Sequence, residues 1–191
     1  MIRWLVLTGG TSSRLGFDKA SAVLAGQSLV DRARSSIAEA DPSASITEIG
    51  TERGGGPAAA VAAVLAEITE NYVGVVAVDM PFVQPALSAV MADFARSQGT
   101  DVDGSRSIDA WVPVGSDGRL QWLSAVYRRS SLERAVQQVT VEAGDISGLA
   151  FHRLVSTMEV CQVFVDSDVS LLDIDTPQDF DQARGEIESR N

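Results

Sequence analysis

The sequence predicts an α/β protein, a three-layer Rossmann-like arrangement in which a mainly parallel, mixed sheet lies between helices. Three observations carry that expectation. Apolar, β-branched runs at residues 2–8 and 72–78 read as central strands buried on both faces. Each empties into a loop followed by helical periodicity, so crossovers between parallel strands are expected. After Gly99 two strand-like runs flank Gly115-Ser116-Asp117-Gly118-Arg119, a turn sequence that predicts an antiparallel pair.

Along the chain, the strand at 2–8 stops at Gly9-Gly10 and a loop runs to Lys19. A short segment at 22–24 and the Ala25-Gly26 turn lead into a helix with apolar positions Leu29, Val30, Ala33, Ile37 and Ala40, which closes before Asp41-Pro42. A strand is predicted at 45–49. Gly54-Gly55-Gly56 follows, and Pro57 sits where a first helical turn tolerates it, opening an Ala-rich helix to residue 68. The strand at 72–78 ends on Asp79-Met80-Pro81, ahead of a helix at 85–96. Strands at 110–114 and 120–127, helices at 130–139 and 146–154, strands at 160–165 and 171–174, and a polar amphipathic helix at 177–188 complete the expected order.

Length and composition restrict what such a fold does. The 191 residues, 45% of them hydrophobic, suit one domain spanning 1–191. The formal net charge of −11 disfavours DNA, RNA and anionic lipid, which are bound by clustered Lys and Arg. One Cys and one His permit neither a disulfide within the chain nor a Cys/His zinc cluster. The apolar run at 4–7 is too short for a signal-peptide core, and no stretch approaches the roughly 20 apolar residues of a membrane span, so the expected location is the cytoplasm.

The chemistry concentrates in three places. The loop Gly9-Gly10-Thr11-Ser12-Ser13-Arg14-Leu15-Gly16-Phe17-Asp18-Lys19 combines glycines, hydroxyls, an Arg and the only Lys of the chain. Glycines let the backbone approach an anion closely and present N–H groups to phosphate oxygens, while Arg14 and Lys19 add charge. The same composition suits an ordinary strand-to-helix loop, and neither a Walker loop nor a G-x-G-x-x-G fingerprint is present. Asp79 closes an apolar strand, where ligands gather in open α/β sheets, and its carboxylate suits Mg²⁺; a helix N-cap is the alternative. Asp173-Ile174-Asp175-Thr176-Pro177 ends another expected strand, with both aspartates on one face, and Asp175 or Thr176 doubles as an N-cap candidate.

Taken in order, these segments resemble the nucleotidyltransferases of the nucleotide-diphospho-sugar transferase type, and most closely the molybdenum cofactor guanylyltransferases. The family loop [LV]-x-G-G-x-S-x-R-[ML]-G-x-D-K-[AG] is matched from Leu7 through Thr8, Gly9, Gly10, Thr11, Arg14 and Lys19 to Ala20. Its Gly-Pro motif is similar to Gly56-Pro57, its D-x-P-[FY] motif to Asp79-Met80-Pro81-Phe82, and its late [ND]-x-[ND]-T-P motif to residues 173–177. The resemblance implies transfer of GMP from GTP to the terminal phosphate of molybdopterin, with release of pyrophosphate. It implies a guanosine site at Leu7, Thr8 and Gly9, phosphate contacts from Lys19, and Mg²⁺ as cofactor, with Asp79 as ligand and Asp175 as a second one. Arg14, Lys19 and Asp79 are the expected catalytic residues, and Gly10, Thr11, Gly56 and Pro57 join the nucleotide site. GTP and molybdopterin are the expected partners, with transient contacts to other proteins of the cofactor pathway. The related alternatives are a transferase using CTP or another phosphate acceptor, and a nucleotide-binding protein without turnover.

The chain departs from the family pattern in places. The passage from residue 45 to Gly56 is short, Gly50 or Thr51 stands where the family has an Asn near the nucleotide, and only Glu52 offers a carboxylate before Gly54 where the family has an Asp, so those two contacts are not carried over. Thr8 replaces a more usual Ala, and Gln121-Trp122-Leu123 stands where a His-Pro-Leu-like segment is common, on the expected pterin side. Trp111 and Trp122 are candidates for that pocket and equally for core packing. His152 is expected at or near the surface, and Cys161 as a small core residue.

Overall fold

The computed structural model describes residues 1–9, 21–50, 54–98, 107–166 and 168–189. Strand β1 (Ile2–Leu7) is apolar on both faces because both are covered: Trp4 and Val6 enter one core, Leu5 and Leu7 the other. Around it the strands β4 (Ser45–Ile49), β5 (Tyr72–Ala77), β6 (Ala110–Val114), β7 (Ser124–Arg128) and β8 (Val160–Phe164) complete a six-stranded sheet of order β4-β1-β5-β7-β6-β8. Only β7 runs against the others, pairing antiparallel with both β5 and β6. The sheet is therefore mixed and mainly parallel. A two-stranded ribbon, β2 (Val23–Leu24) with β3 (Gln27–Ser28), turns at Ala25-Gly26, both at positive φ (49° and 82°).

Helices cover both faces. On the face of Trp4 lie α1 (Leu29–Ala40), α3 (Gln84–Gln98) and the C-terminal α6 (Pro177–Glu188), contributing Leu29, Ala33, Ile37, Leu87, Val90 and Ala183 to the core. On the face of Leu5 lie α2 (Gly56–Leu65), α4 (Arg129–Ala143) and the short α5 (Phe151–Leu154). The spacing of 29, 33 and 37 is the helical repeat seen in the sequence. The Ser28 hydroxyl starts α1 by accepting from the Asp31 amide at 3.1 Å. Among the described residues, no helix is long and apolar enough to cross a membrane.

Four expectations are corrected. The helix anticipated from 146 begins only at Phe151, because Gly144 and Gly148 adopt positive φ (both 76°) and the Asp145 carboxylate accepts from the Ser147 amide at 2.9 Å, folding 144–149 into turns. The segment at 171–174 joins no sheet. Asp168–Leu171 is a 3-10 helix, and residues 172–175 after it belong to no strand. Strand β7 starts at Ser124, with Leu120 making an isolated bridge to Val114. Helix α2 ends at Leu65, three residues earlier than expected, after which Ile68 still packs into the core.

Candidate functional site

Parallel strands that share a direction bring their carboxyl ends to one edge, and here β1, β4 and β5 deliver Leu7-Thr8-Gly9, Ile49-Gly50 and Ala77-Val78-Asp79 to a common cleft of about 390 Å³. The floor is held by backbone bonds: the Thr8 amide donates to the Ile49 carbonyl (2.9 Å) and the Val78 amide to the Leu7 carbonyl (3.3 Å). The Thr8 hydroxyl donates to the same Ile49 carbonyl at 3.2 Å.

The opposite wall is the start of α2. Gly54, Gly55 and Gly56 sit at φ of 57°, 72° and 83°, a succession that L side chains strain to adopt, and Pro57 follows within the first turn. No side-chain hydrogen bond caps α2 and its first turn carries no acidic residue, and the positive end of the helix opens on the cleft. The run is buttressed from across the molecule: the Gly148 amide donates to the Gly55 carbonyl at 2.8 Å.

Asp79, half-buried, lies beyond the end of β5 and is not a cap of α3, which starts five residues later. It lines both the first cleft and a second of about 550 Å³, and Pro57, Ala77 and Leu123 are likewise shared. The Ile174 amide donates to the Asp79 carbonyl (2.8 Å), which brings Asp173 to the second cleft. Asp175 lines neither cleft; its amide and that of Thr176 donate to the Asp179 carboxylate (3.0 and 2.7 Å) in the capping box that opens α6. Thr176 is thus the N-cap that the Thr-Pro pair signals.

The remaining walls of the second cleft come from the segment between β6 and β7 and from α5. Trp122 is held there by the Tyr127 hydroxyl, which donates to its carbonyl at 2.5 Å; complete burial pushes the phenol's pKa well up, so it stays a neutral donor. The Ser124 hydroxyl donates to the Met80 sulfur at 2.8 Å. Trp111 is instead a core residue, packed edge-on against Tyr72 and Phe94. Cys161 packs half-buried at the edge of the same core.

Of the nucleotide-site residues expected from sequence, Leu7, Thr8, Gly9, Gly56, Pro57 and Asp79 line the first cleft together. Gly10, Thr11, Arg14 and Lys19 lie outside the described residues. The sequence reading did not find Arg119 as a lining residue and placed His152 only near the surface; both line the second cleft. The turn sequence at 115–119 carried an Arg, but nothing local signals what faces it.

Residues 44–155 match the model of the MobA-like NTP transferase domain. A relative from Pelotomaculum thermopropionicum, described as a probable molybdenum cofactor guanylyltransferase, is 28% identical over 94% of this chain and 90% of its own length. Molybdopterin-guanine dinucleotide biosynthesis protein A from Archaeoglobus fulgidus superposes with a TM-score of 0.69 at 21% identity, covering 99% of this chain and 100% of that one. 2-C-methyl-D-erythritol 4-phosphate cytidylyltransferase from Thermus thermophilus gives 0.62 at 16% identity, covering 96% and 98%. The fold is that of the nucleotidyltransferases of the nucleotide-diphospho-sugar transferase type. The chain belongs to the family of MobA-like NTP transferase domains, and it is a nucleotidyltransferase.

Proposed function

We propose that this nucleotidyltransferase transfers GMP from GTP to the terminal phosphate of molybdopterin, releasing pyrophosphate and forming the guanine dinucleotide. The observation that carries this reading is the pair of adjoining clefts that share Asp79, one beneath the glycine run that opens α2 and the other beside Trp122. Relatives described as probable molybdenum cofactor guanylyltransferases support the choice of donor and acceptor.

In this reading the guanosine lies over Leu7, Thr8 and Gly9, the phosphates lie at the start of α2 by Gly56, with Pro57 shaping the turn, and Gly10 and Thr11 belong to the same nucleotide site. Arg14 and Lys19 meet the charge of the triphosphate. The acceptor is already a phosphate anion, so its oxygen attacks the α-phosphorus without a protein base, the bond to the β-phosphate bridging oxygen breaks, and pyrophosphate leaves with the electron pair. The chain's work is to hold nucleophile and leaving group in line and to present fixed charge where charge develops.

The donor set fits Mg²⁺. Asp79 and Asp173 offer hard carboxylate oxygens at the second cleft, and among the described residues no group of three or more His, Cys, Asp or Glu is gathered for a metal, so an ion here would complete its shell with water and substrate phosphate. Bound there, Mg²⁺ supplies neutralisation of the phosphate charge. Asp173, which lines the cleft with Asp79, is proposed as the second ligand beside the Asp175 that the motif suggests.

Pyrophosphate release from GTP, CTP, ATP and UTP with Mg²⁺ and molybdopterin tests the reading. GTP is expected to be preferred. Preference for CTP, or GTP binding by calorimetry with no pyrophosphate released, would overturn it.

A further inference from the structure

Four charged or titratable side chains line the second cleft: Asp79 and Asp173, the proposed metal ligands, and Arg119 and His152, which attract an anion or donate to it. The environment makes the second pair conspicuous. Every other described arginine except Arg153 engages a carboxylate, a backbone carbonyl or an aromatic ring. Among the described residues the guanidinium of Arg119 and the imidazole of His152 make no such contact, and both are exposed. In a chain of net charge −11 this places a cation at a cleft beside two carboxylates with no partner among the described residues, and its five N–H donors are available for a ligand.

Both side chains stand on anchored backbone. Arg119 closes the turn between β6 and β7, its amide donating to the Asp117 carboxylate at 2.9 Å next to the Val114–Leu120 bridge. His152 follows Phe151, which is buried edge-on against Tyr127 with ring centroids 5.7 Å apart. Tyr127 also holds the Trp122 carbonyl, so the two walls that carry Arg119 and His152 are pinned to one buried ring.

We propose that Arg119 and His152 together hold the anionic group of the acceptor, and so select phosphate monoesters that also bring a planar ring system to Trp122. This rests on the reading of the second cleft as the acceptor site. Guanidinium and imidazole N–H groups on phosphate oxygens are charge-assisted bonds, and each is expected to be worth several-fold to about tenfold in acceptor affinity.

The test is steady-state pyrophosphate release by the full chain with Mg²⁺, GTP and either molybdopterin or a panel of sugar phosphates as acceptor. Arg119→Ala is expected to raise the acceptor KM about tenfold and His152→Ala several-fold, the double variant more than either, with the GTP KM unmoved and Arg119→Lys recovering part of the loss. Arg153→Ala, a neighbouring exposed arginine that lines neither cleft, serves as the control and leaves both KM values unchanged. Thermal midpoints of all variants separate loss of contact from loss of fold. An unchanged acceptor KM in both single variants, or equal rises in the KM of GTP and acceptor, overturns the pair while leaving the proposed reaction in place. Use of a sugar phosphate instead of molybdopterin overturns that reaction, and the pair is then judged on the KM of the acceptor used. No turnover with any acceptor overturns both.

Discussion

The Ile174 amide donates to the Asp79 carbonyl across 2.8 Å, joining two segments 95 residues apart in the chain at the edge of the second cleft. Burial of Ile174 leaves Asp173 and Asp175 exposed on either side of it, yet only Asp173 faces the cleft that Asp79 also lines.

That asymmetry separates the two aspartates by experiment. Asp79→Ala and Lys19→Ala are each expected to lower turnover by on the order of a hundredfold or more, as when a preorganised charge partner is removed elsewhere. Asp173→Ala should cost more activity than Asp175→Ala, whose amide serves the cap of α6 and survives the substitution. Steady-state pyrophosphate release at saturating Mg²⁺ measures all four. Equal activity in the Asp173 and Asp175 variants would contradict the proposed assignment of Asp173 as a metal ligand.

The glycine run gives a graded prediction. A Cβ on Gly55 would lie 2.8 Å from the Ala59 Cβ and 3.1 Å from the Ser147 hydroxyl, and φ is 72°, whereas a Cβ on Gly54 meets nothing within 4 Å. Gly54→Ala therefore carries only the left-handed penalty of about 1–2 kcal/mol. Gly55→Ala adds a collision and displaces the wall that Gly148 supports. Urea midpoints should fall further for Gly55→Ala, and GTP affinity by calorimetry should fall with them.

The core near the other end of β1 offers a test independent of ligand. A Cβ on Gly74 would lie 2.2 Å from the ring of Trp4, which is fully buried and donates its indole N–H to the Asp41 carboxylate at 3.0 Å. The ring cannot retreat without losing that bond, and Asp41 is itself held by the Ser43 amide and hydroxyl (3.1 and 2.7 Å). Gly74→Ala is expected to destabilise the fold by about 3 kcal/mol, the upper part of the range for overpacking. Adding Trp4→Leu to Gly74→Ala should restore part of the loss, a coupling that a double-mutant cycle in urea would detect. Simple additivity would show that the contact is not what limits position 74.

Much of this architecture was legible because its causes are local. Apolar runs read as β1 and β5, the 29-33-37 spacing read as α1, and Thr176-Pro177 read as a helix start, since each rests on burial or capping within a few residues. The positions Leu7, Thr8, Gly9, Gly56, Pro57 and Asp79 were grouped by the resemblance of their motifs to a family pattern, and they line one cleft because parallel strands put their ends on one edge. Other features were decided only by tertiary structure. Insertion of β7 between β5 and β6, the burial of Trp111 but not Trp122, and the placing of Arg119 and His152 along one cleft depend on pairings between distant segments, which leave no periodicity in either partner. The turns at 144–149 and the stretch after residue 171 have the apolar content of a helix and a strand; positive φ at Gly144 and Gly148 breaks the first, and the second is tied to the sheet edge by the Ile174 amide, which donates to the Asp79 carbonyl beyond β5.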